Sequence, residues 1–202
     1  MAEGFFDAKF ALFGLPGSGK STFRKVSELV ARDLDLQLQH LRLADPLYAA
    51  QEAIYAIAGA PLDTPDTQDG ELLNMLGVHM RRINPRILEE HATIRIRELA
   101  AAPNRHPGNS RILICDDMRP TDASFMRRLG FKFVLIDVPP NVSVDRRENR
   151  GDISLGSLSD PNERGVAGID HDFVIDNSGD VSRLFENARR FWEGAILDTD
   201  RS

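Results

Sequence analysis

Gly14-Leu15-Pro16-Gly17-Ser18-Gly19-Lys20-Ser21-Thr22 decides the fold class of this 202-residue chain. The stretch spells G-x-x-x-x-G-K-[ST], and its flanks are the ones that motif requires. Before it, Lys9-Phe10-Ala11-Leu12-Phe13 is a short apolar run suited to a buried strand. After it, from Ser21 to Asp33, Phe23, Val26, Leu29 and Val30 recur at helical spacing. Strand, glycine-rich turn and helix in that order aim backbone N–H groups and a helix N-terminus at one point, which makes an anion cradle. Gly14, Gly17 and Gly19 allow a loop that wraps close to phosphate oxygens, with Leu15, Pro16, Ser18 and Thr22 completing it. In such a loop Lys20 reaches the β/γ-phosphates and the Ser21 hydroxyl ligates Mg²⁺. The chain is expected to bind a nucleoside triphosphate.

Outward from that loop, strands and helices alternate. Leu36 to Leu43 alternates apolar with polar, as a partly exposed strand does. Asp45-Pro46 opens a helix to about Ala58, with aspartate suited to the N-cap and proline to the first turn. A Pro-, Asp- and Thr-rich loop follows to Gly70, then helices over 71–82 and 85–102 divided by Asn84-Pro85. Arg111 to Asp117 is a buried strand ending in two carboxylates, 121–129 a short helix and 132–138 another strand. A helix from Pro140 runs into Arg146, Arg147 and Arg150, and the Gly/Ser/Asp/Asn-rich stretch beyond it reads as a lid. Phe173 to Ile175 is the last strand and Val181 to Ile196 the last helix. Five strands alternating with helices imply a parallel sheet covered on both faces, with ligands at the strands' carboxyl ends. The expected fold is a single three-layer α/β/α P-loop domain over 1–202, with a helical acceptor-binding insert over 46–102 and a lid over 146–168.

Composition narrows the function. Hydrophobic residues at 42% and charged residues at 28% are ordinary for a globular domain. A formal charge of −6 argues against a duplex nucleic-acid binder, which carries a basic footprint. The single cysteine, Cys115, sits in an apolar run and reads as a small core residue. No leader pattern and no span of eighteen apolar residues is present, so a cytoplasmic location is expected, with no membrane partner.

Candidate chemistry gathers at the strand ends. Asp116 and Asp117 follow the third strand, where a carboxylate holds Mg²⁺ directly or through its waters, and spacing does not choose between them. Asp45 follows the second strand; it either orients or deprotonates an acceptor oxygen or caps the next helix. Arg81, Arg82, Arg119, Arg146, Arg147 and Arg150 supply guanidinium groups that clamp phosphate oxygens and stabilise a transferring phosphoryl group. A lid carrying the last three would also exclude water. His79, His91 and His171 lack metal-ligand spacing, and Phe191 and Trp192 read as core.

Four further segments carry a resemblance. Leu43-Ala44-Asp45-Pro46-Leu47-Tyr48 is similar to F-A-D-P-L-K. Leu73-Asn74-Met75-Leu76-Gly77 through Arg81-Arg82-Ile83-Asn84-Pro85 is similar to L-L-Q-x-L-G-T…R-x-I-D-P. Asp116-Asp117-Met118-Arg119-Pro120-Thr121-Asp122-Ala123 is similar to D-D-V-R-F-x-N-E, and Asp172 to Gly179 to D-x-x-I-x-N-x-G. In this order they resemble the phage-type deoxynucleoside monophosphate kinases, within the nucleoside and nucleotide kinase superfamily that also holds dephospho-CoA kinase. The resemblance implies Mg·ATP-dependent transfer of the γ-phosphoryl group to a (deoxy)nucleoside monophosphate. It implies Asp45 and one of Arg81 and Arg82 near the acceptor and Arg119 in the acceptor pocket. It implies Arg146, Arg147 and Arg150 in the lid, and Asn177 near the adenine.

Tyr48 stands where that family has lysine, and Pro120 to Ala123 replaces its aromatic and Asn-Glu pair, so a modified or non-nucleotide acceptor also fits. Other readings are a kinase of a dephospho-CoA-like acceptor, a kinase acting on a base within DNA, and an ATPase or nucleotide switch without acceptor. No Asn-Lys-x-Asp motif supports a guanine switch. The partner expected is a small-molecule nucleotide acceptor, and a homodimer is compatible with the chain.

Overall fold

Alternation along the central strand sorts the core into two layers. In β1 (Ala8–Phe13), Phe10 and Leu12 face one side of the sheet, and Ala11 and Phe13 face the other. The first face is covered by α1 (Lys20–Asp33) and α7 (Val181–Thr199), whose Phe23, Val26, Val30, Leu184, Phe191 and Trp192 are buried there. Edge-to-face rings tie this layer together, with Phe10 and Phe191 centroids 5.3 Å apart and Phe191 and Trp192 4.7 Å apart. The second face meets α2 (Asp45–Ile57), α4 (Ile87–Ala101) and α5 (Ala123–Arg128) through Leu47, Leu88, Ala92 and Met126. Cys115 is fully buried in that second layer, as its apolar setting predicts.

The computed structural model describes residues 6–64, 67–104, 108–148, 153–154 and 165–199. With β2 (Leu36–Leu41), β3 (Ser110–Cys115), β4 (Lys132–Asp137) and β5 (Phe173–Asp176), the sheet runs in the order β2-β3-β1-β4-β5. Every pairing is parallel, with Phe10 opposite Ile114 and Phe13 opposite Leu135. The remaining helices are α3 (Gly70–Ile83) and α6 (Pro140–Glu148). The fold is the expected α/β class with a five-stranded parallel sheet and flanking helices. No helix among the described residues is long and apolar enough to cross a membrane.

The topology locates the site. The connection after β1 leads to α1 on one face, and the connection after β3 leads to α5 on the other. Between two adjacent parallel strands whose connections diverge, a crevice opens at their carboxyl ends. The glycine-rich loop after β1 and Asp116 after β3 lie on its two sides.

Three boundaries depart from the sequence expectation. The second strand stops at Leu41 instead of Leu43, because the N–H groups of Leu43 and Ala44 donate to the Asp117 carboxylate at 3.0 and 2.9 Å. The N-cap of α2 is Ala44 and not Asp45, which is the first helical residue and makes no capping bond. The Ala44 carbonyl already takes the N–H groups of both Leu47 and Tyr48, and Pro46 has none to offer, so no donor is left for the aspartate. The expected helix over 121–129 is a 3-10 turn at Pro120–Asp122 followed by α5.

Candidate active site

Between β1 and α1 the chain makes a tight loop that only glycine accommodates at its ends. Gly14 has φ +146°, and a Cβ there would lie 2.5 Å from the Ile136 carbonyl oxygen. Gly19 has φ +93°, and its Cβ would meet Asn177 Nδ2 at 2.2 Å. Lys20 folds back over the loop, donating from Nζ to the carbonyls of Gly14 and Leu15 at 2.9 and 3.1 Å. Two outside groups brace it: Ser143 Oγ donates to Pro16 O (2.6 Å) and Asn177 Nδ2 to Ser18 O (2.7 Å). Gly19 caps α1, and no acidic residue occupies the first helical turn. The positive end of the helix, the backbone cradle and a lysine therefore converge, which fits a triphosphate.

Across the crevice, the two carboxylates at the end of β3 separate in role. Asp117 is buried and bonds the backbone of Leu43 and Ala44, fixing the turn that leads into α2. Burial, and then the charge of Asp116, push its carboxyl above the usual range. Asp116 accepts from His40 Nε2 at 2.6 Å and from Arg24 Nε at 3.0 Å, with the Ser21 hydroxyl as a further partner. Burial opposes its ionisation, yet His40, Arg24 and Ser21 outweigh that and hold it down at about 2. A hydroxyl from the phosphate loop beside an ionised carboxylate fits Mg²⁺, which takes few protein ligands and completes its shell with phosphate oxygens and water. No cluster of three or more His, Cys, Asp or Glu suited to holding a metal by itself occurs among the described residues.

The ionised Asp116 carboxylate stabilises the fold in a pH-dependent way. Its contribution to stability is complete above the ordinary carboxylate value of 3.8 and is lost as pH falls toward 2. The amount is about 2 kcal/mol. In metal-free denaturant unfolding, Asp116→Asn should be less stable than the unsubstituted chain at pH 5. That gap should shrink between pH 4 and pH 2; an unchanged gap contradicts the assignment.

On the sheet's second face, a cleft lies between α2, α3 and α4. Arg81, Arg119, Asp117 and Asp122 line it together with Leu43, Leu47, Leu73 and Leu88. Arg81 is half-buried, donating from Nη2 to Asp122 at 2.7 Å and from Nη1 to Gly77 O at 3.0 Å. Arg82 points to solvent on the same helix. Asp122, buried, also accepts the N–H of Arg119 at 3.1 Å, so one carboxylate aligns both arginine-bearing segments. Asp45 stands outside this cleft, pairing with Arg42 at 3.3 Å and lying 3.9 Å from His91 Nε2. It lines a neighbouring cavity of about 320 Å³ with Arg42, Tyr48 and Glu52. Tyr48 borders both spaces. Its ring lies 4.7 Å from the Arg42 guanidinium and its hydroxyl accepts from Gln68 at 3.2 Å. Burial, then the Asp117 charge, raise that hydroxyl to about 12, so it stays neutral at physiological pH.

Arg146 clasps the turn after β5, donating to the carbonyls of Asn177 and Gly179 at 3.0 and 3.1 Å. It thereby sits beside Gly19 of the phosphate loop. The Arg147 side chain, Arg150 and most of the expected lid lie outside the described residues. Of that stretch, Ile153 and Ser154 pair with Gln68, Asp69 and Gly70 at the start of α3. The sequence reading missed His40, Arg24 and Asp122. His40 sat inside an amphipathic strand, Arg24 on a helix face and Asp122 in a turn, and only the fold brings them to the site.

No protein-family model matches the chain, and no curated protein matches it in sequence. Solved structures do. The protein TT1252 of Thermus thermophilus is 16% identical with a TM-score of 0.52, covering 95% of this chain and 99% of its own. The shikimate kinase of Bacteroides thetaiotaomicron is 16% identical with a TM-score of 0.48, covering 95% and 98%. The APS kinase CysC of Mycobacterium tuberculosis, in complex with AMPPNP and APS, is 17% identical with a TM-score of 0.47, covering 96% and 98%. At 16% identity, the likeness to TT1252 is one of fold.

Proposed function

We propose that this chain is a Mg·ATP-dependent phosphotransferase whose acceptor is a (deoxy)nucleoside monophosphate. The observation that carries the reading is that two groups of residues suited to phosphate lie beyond the carboxyl ends of the strands. One is the phosphate loop with Lys20 and the Ser21–Asp116 pair; the other is the cleft with Arg81 and Arg119. Donor and acceptor phosphates brought together there need several positive charges, and transfer is then a matter of positioning and electrostatics.

In this reading, residues 14–22 bind the ATP phosphates, and ATP supplies the transferable γ-phosphoryl group. Ser21 and Asp116 hold the magnesium, directly or through its waters. Lys20 stabilises charge on the phosphates, and Arg81 and Arg119 orient the acceptor. Asn177 and Arg146 support the wall of the nucleotide site. The 46–102 segment forms the acceptor-binding insert of a single domain. Two converging arginines favour an anionic acceptor over a neutral hydroxyl, for which Asp45 would have to serve as base.

An acceptor panel tests this by ADP formation, using deoxynucleoside monophosphates, modified deoxynucleotides, dephospho-CoA and a no-acceptor control. Turnover that depends on a monophosphate is the expected result. Strong ATP hydrolysis unaffected by every acceptor would instead identify an ATPase.

A further inference from the structure

We infer that His40 is a positioning residue for the divalent cation at the phosphate loop, acting through the Asp116 carboxylate. The inference rests on the phosphotransferase reading above. His40 belongs to the edge strand β2, opposite Ile114 in the ladder, and is partly exposed. Asp116 follows β3 and is nearly buried. The two meet at 2.6 Å, on Oδ1 of the carboxylate, while Arg24 Nε holds Oδ2 at 3.0 Å. Arg24 lies three residues after Ser21, on the same side of α1.

Because Asp116 is ionised, the imidazole is the donor in this bond. A carboxylate has about four lone-pair sites. His40 and Arg24 therefore occupy one site on each oxygen and fix the carboxylate plane, and of the two remaining sites one takes the Ser21 hydroxyl. That arrangement suits an acceptor of hydrogen bonds from magnesium-bound water, which Mg²⁺ keeps when it is shared with phosphates. Groups that orient a metal-binding carboxylate commonly matter about 10–100-fold in metal affinity. A merely structural His40 would join β2 to β3 and affect stability without changing the metal dependence of nucleotide binding.

The test is calorimetric binding of a non-hydrolysable ATP analogue to the full chain over a magnesium titration, with thermal unfolding as the fold control. His40→Ala should raise the magnesium concentration for half-maximal binding by about tenfold, with metal-free analogue affinity unchanged. His40→Gln places an N–H near the Nε2 position and should return the value to within about threefold of the original. His40→Asn, polar but too short, should behave like alanine, and this pair decides the matter even if His40→Ala fails to fold. Folded His40→Ala or His40→Asn protein with the original magnesium dependence overturns the inference while leaving the phosphotransferase reading standing. An unsubstituted chain that binds the analogue at no magnesium concentration overturns both.

Discussion

Lys20→Ala should lower acceptor-dependent turnover by about two to three orders of magnitude while leaving the protein folded. The ammonium is the one fixed charge that the phosphate loop itself contributes. Groups placed where charge develops in a low-dielectric site are worth about 10²–10³ in rate. Its bonds to Gly14 O and Leu15 O are local, within six residues of the lysine, so thermal stability should change little. Circular dichroism and a melting curve beside the ADP assay separate the two effects. Near-normal turnover in folded Lys20→Ala protein would contradict the assignment of the loop.

Arg81→Ala should be costly in a different way. It removes a half-buried guanidinium from the cleft proposed for the acceptor and strips Asp122, which is only 1% exposed, of its cation. Losing a charge-assisted, oriented phosphate contact should raise the acceptor KM by about 100-fold without changing the ATP KM. Leaving a buried carboxylate unpaired should also cost roughly 3 kcal/mol of stability. Arg81→Ala with Asp122→Asn should recover much of the stability and none of the acceptor affinity, because the asparagine carries no buried charge. Equal rises in both KM values would mean that Arg81 does not face the acceptor.

The glycine-rich loop, the five strands and their parallel sense were legible because their signals are local. Glycine positions, an apolar strand and helical periodicity sit within one short stretch, and period-two runs bounded by turns recur along the chain. The choice between Asp116 and Asp117, and between Arg81 and Arg82, was not local. Adjacent residues on a strand end or helix point in different directions, and only the packing of β2 against β3 turns Asp117 to the backbone and Asp116 to Ser21. Asp122 was unreadable for a related reason: its partner Arg81 lies 41 positions away. For Asp45 residue type alone allowed a cap as well as an acceptor-facing role, and the cap does not form because the Ala44 carbonyl already serves the first-turn amides. His40 gave no signal at all, since a histidine in an amphipathic strand is indistinguishable from any exposed polar residue until Asp116 is brought beside it.

Equilibrium binding of ATP to the purified chain, with and without magnesium and with Lys20→Ala protein alongside, is the shortest route to a decision. Saturable, magnesium-strengthened binding at one site per chain, weakened by the alanine, is what a triphosphate cradle at the end of β1 requires. Absence of any detectable ATP binding by folded protein in the presence of magnesium would remove the basis for phosphoryl transfer altogether.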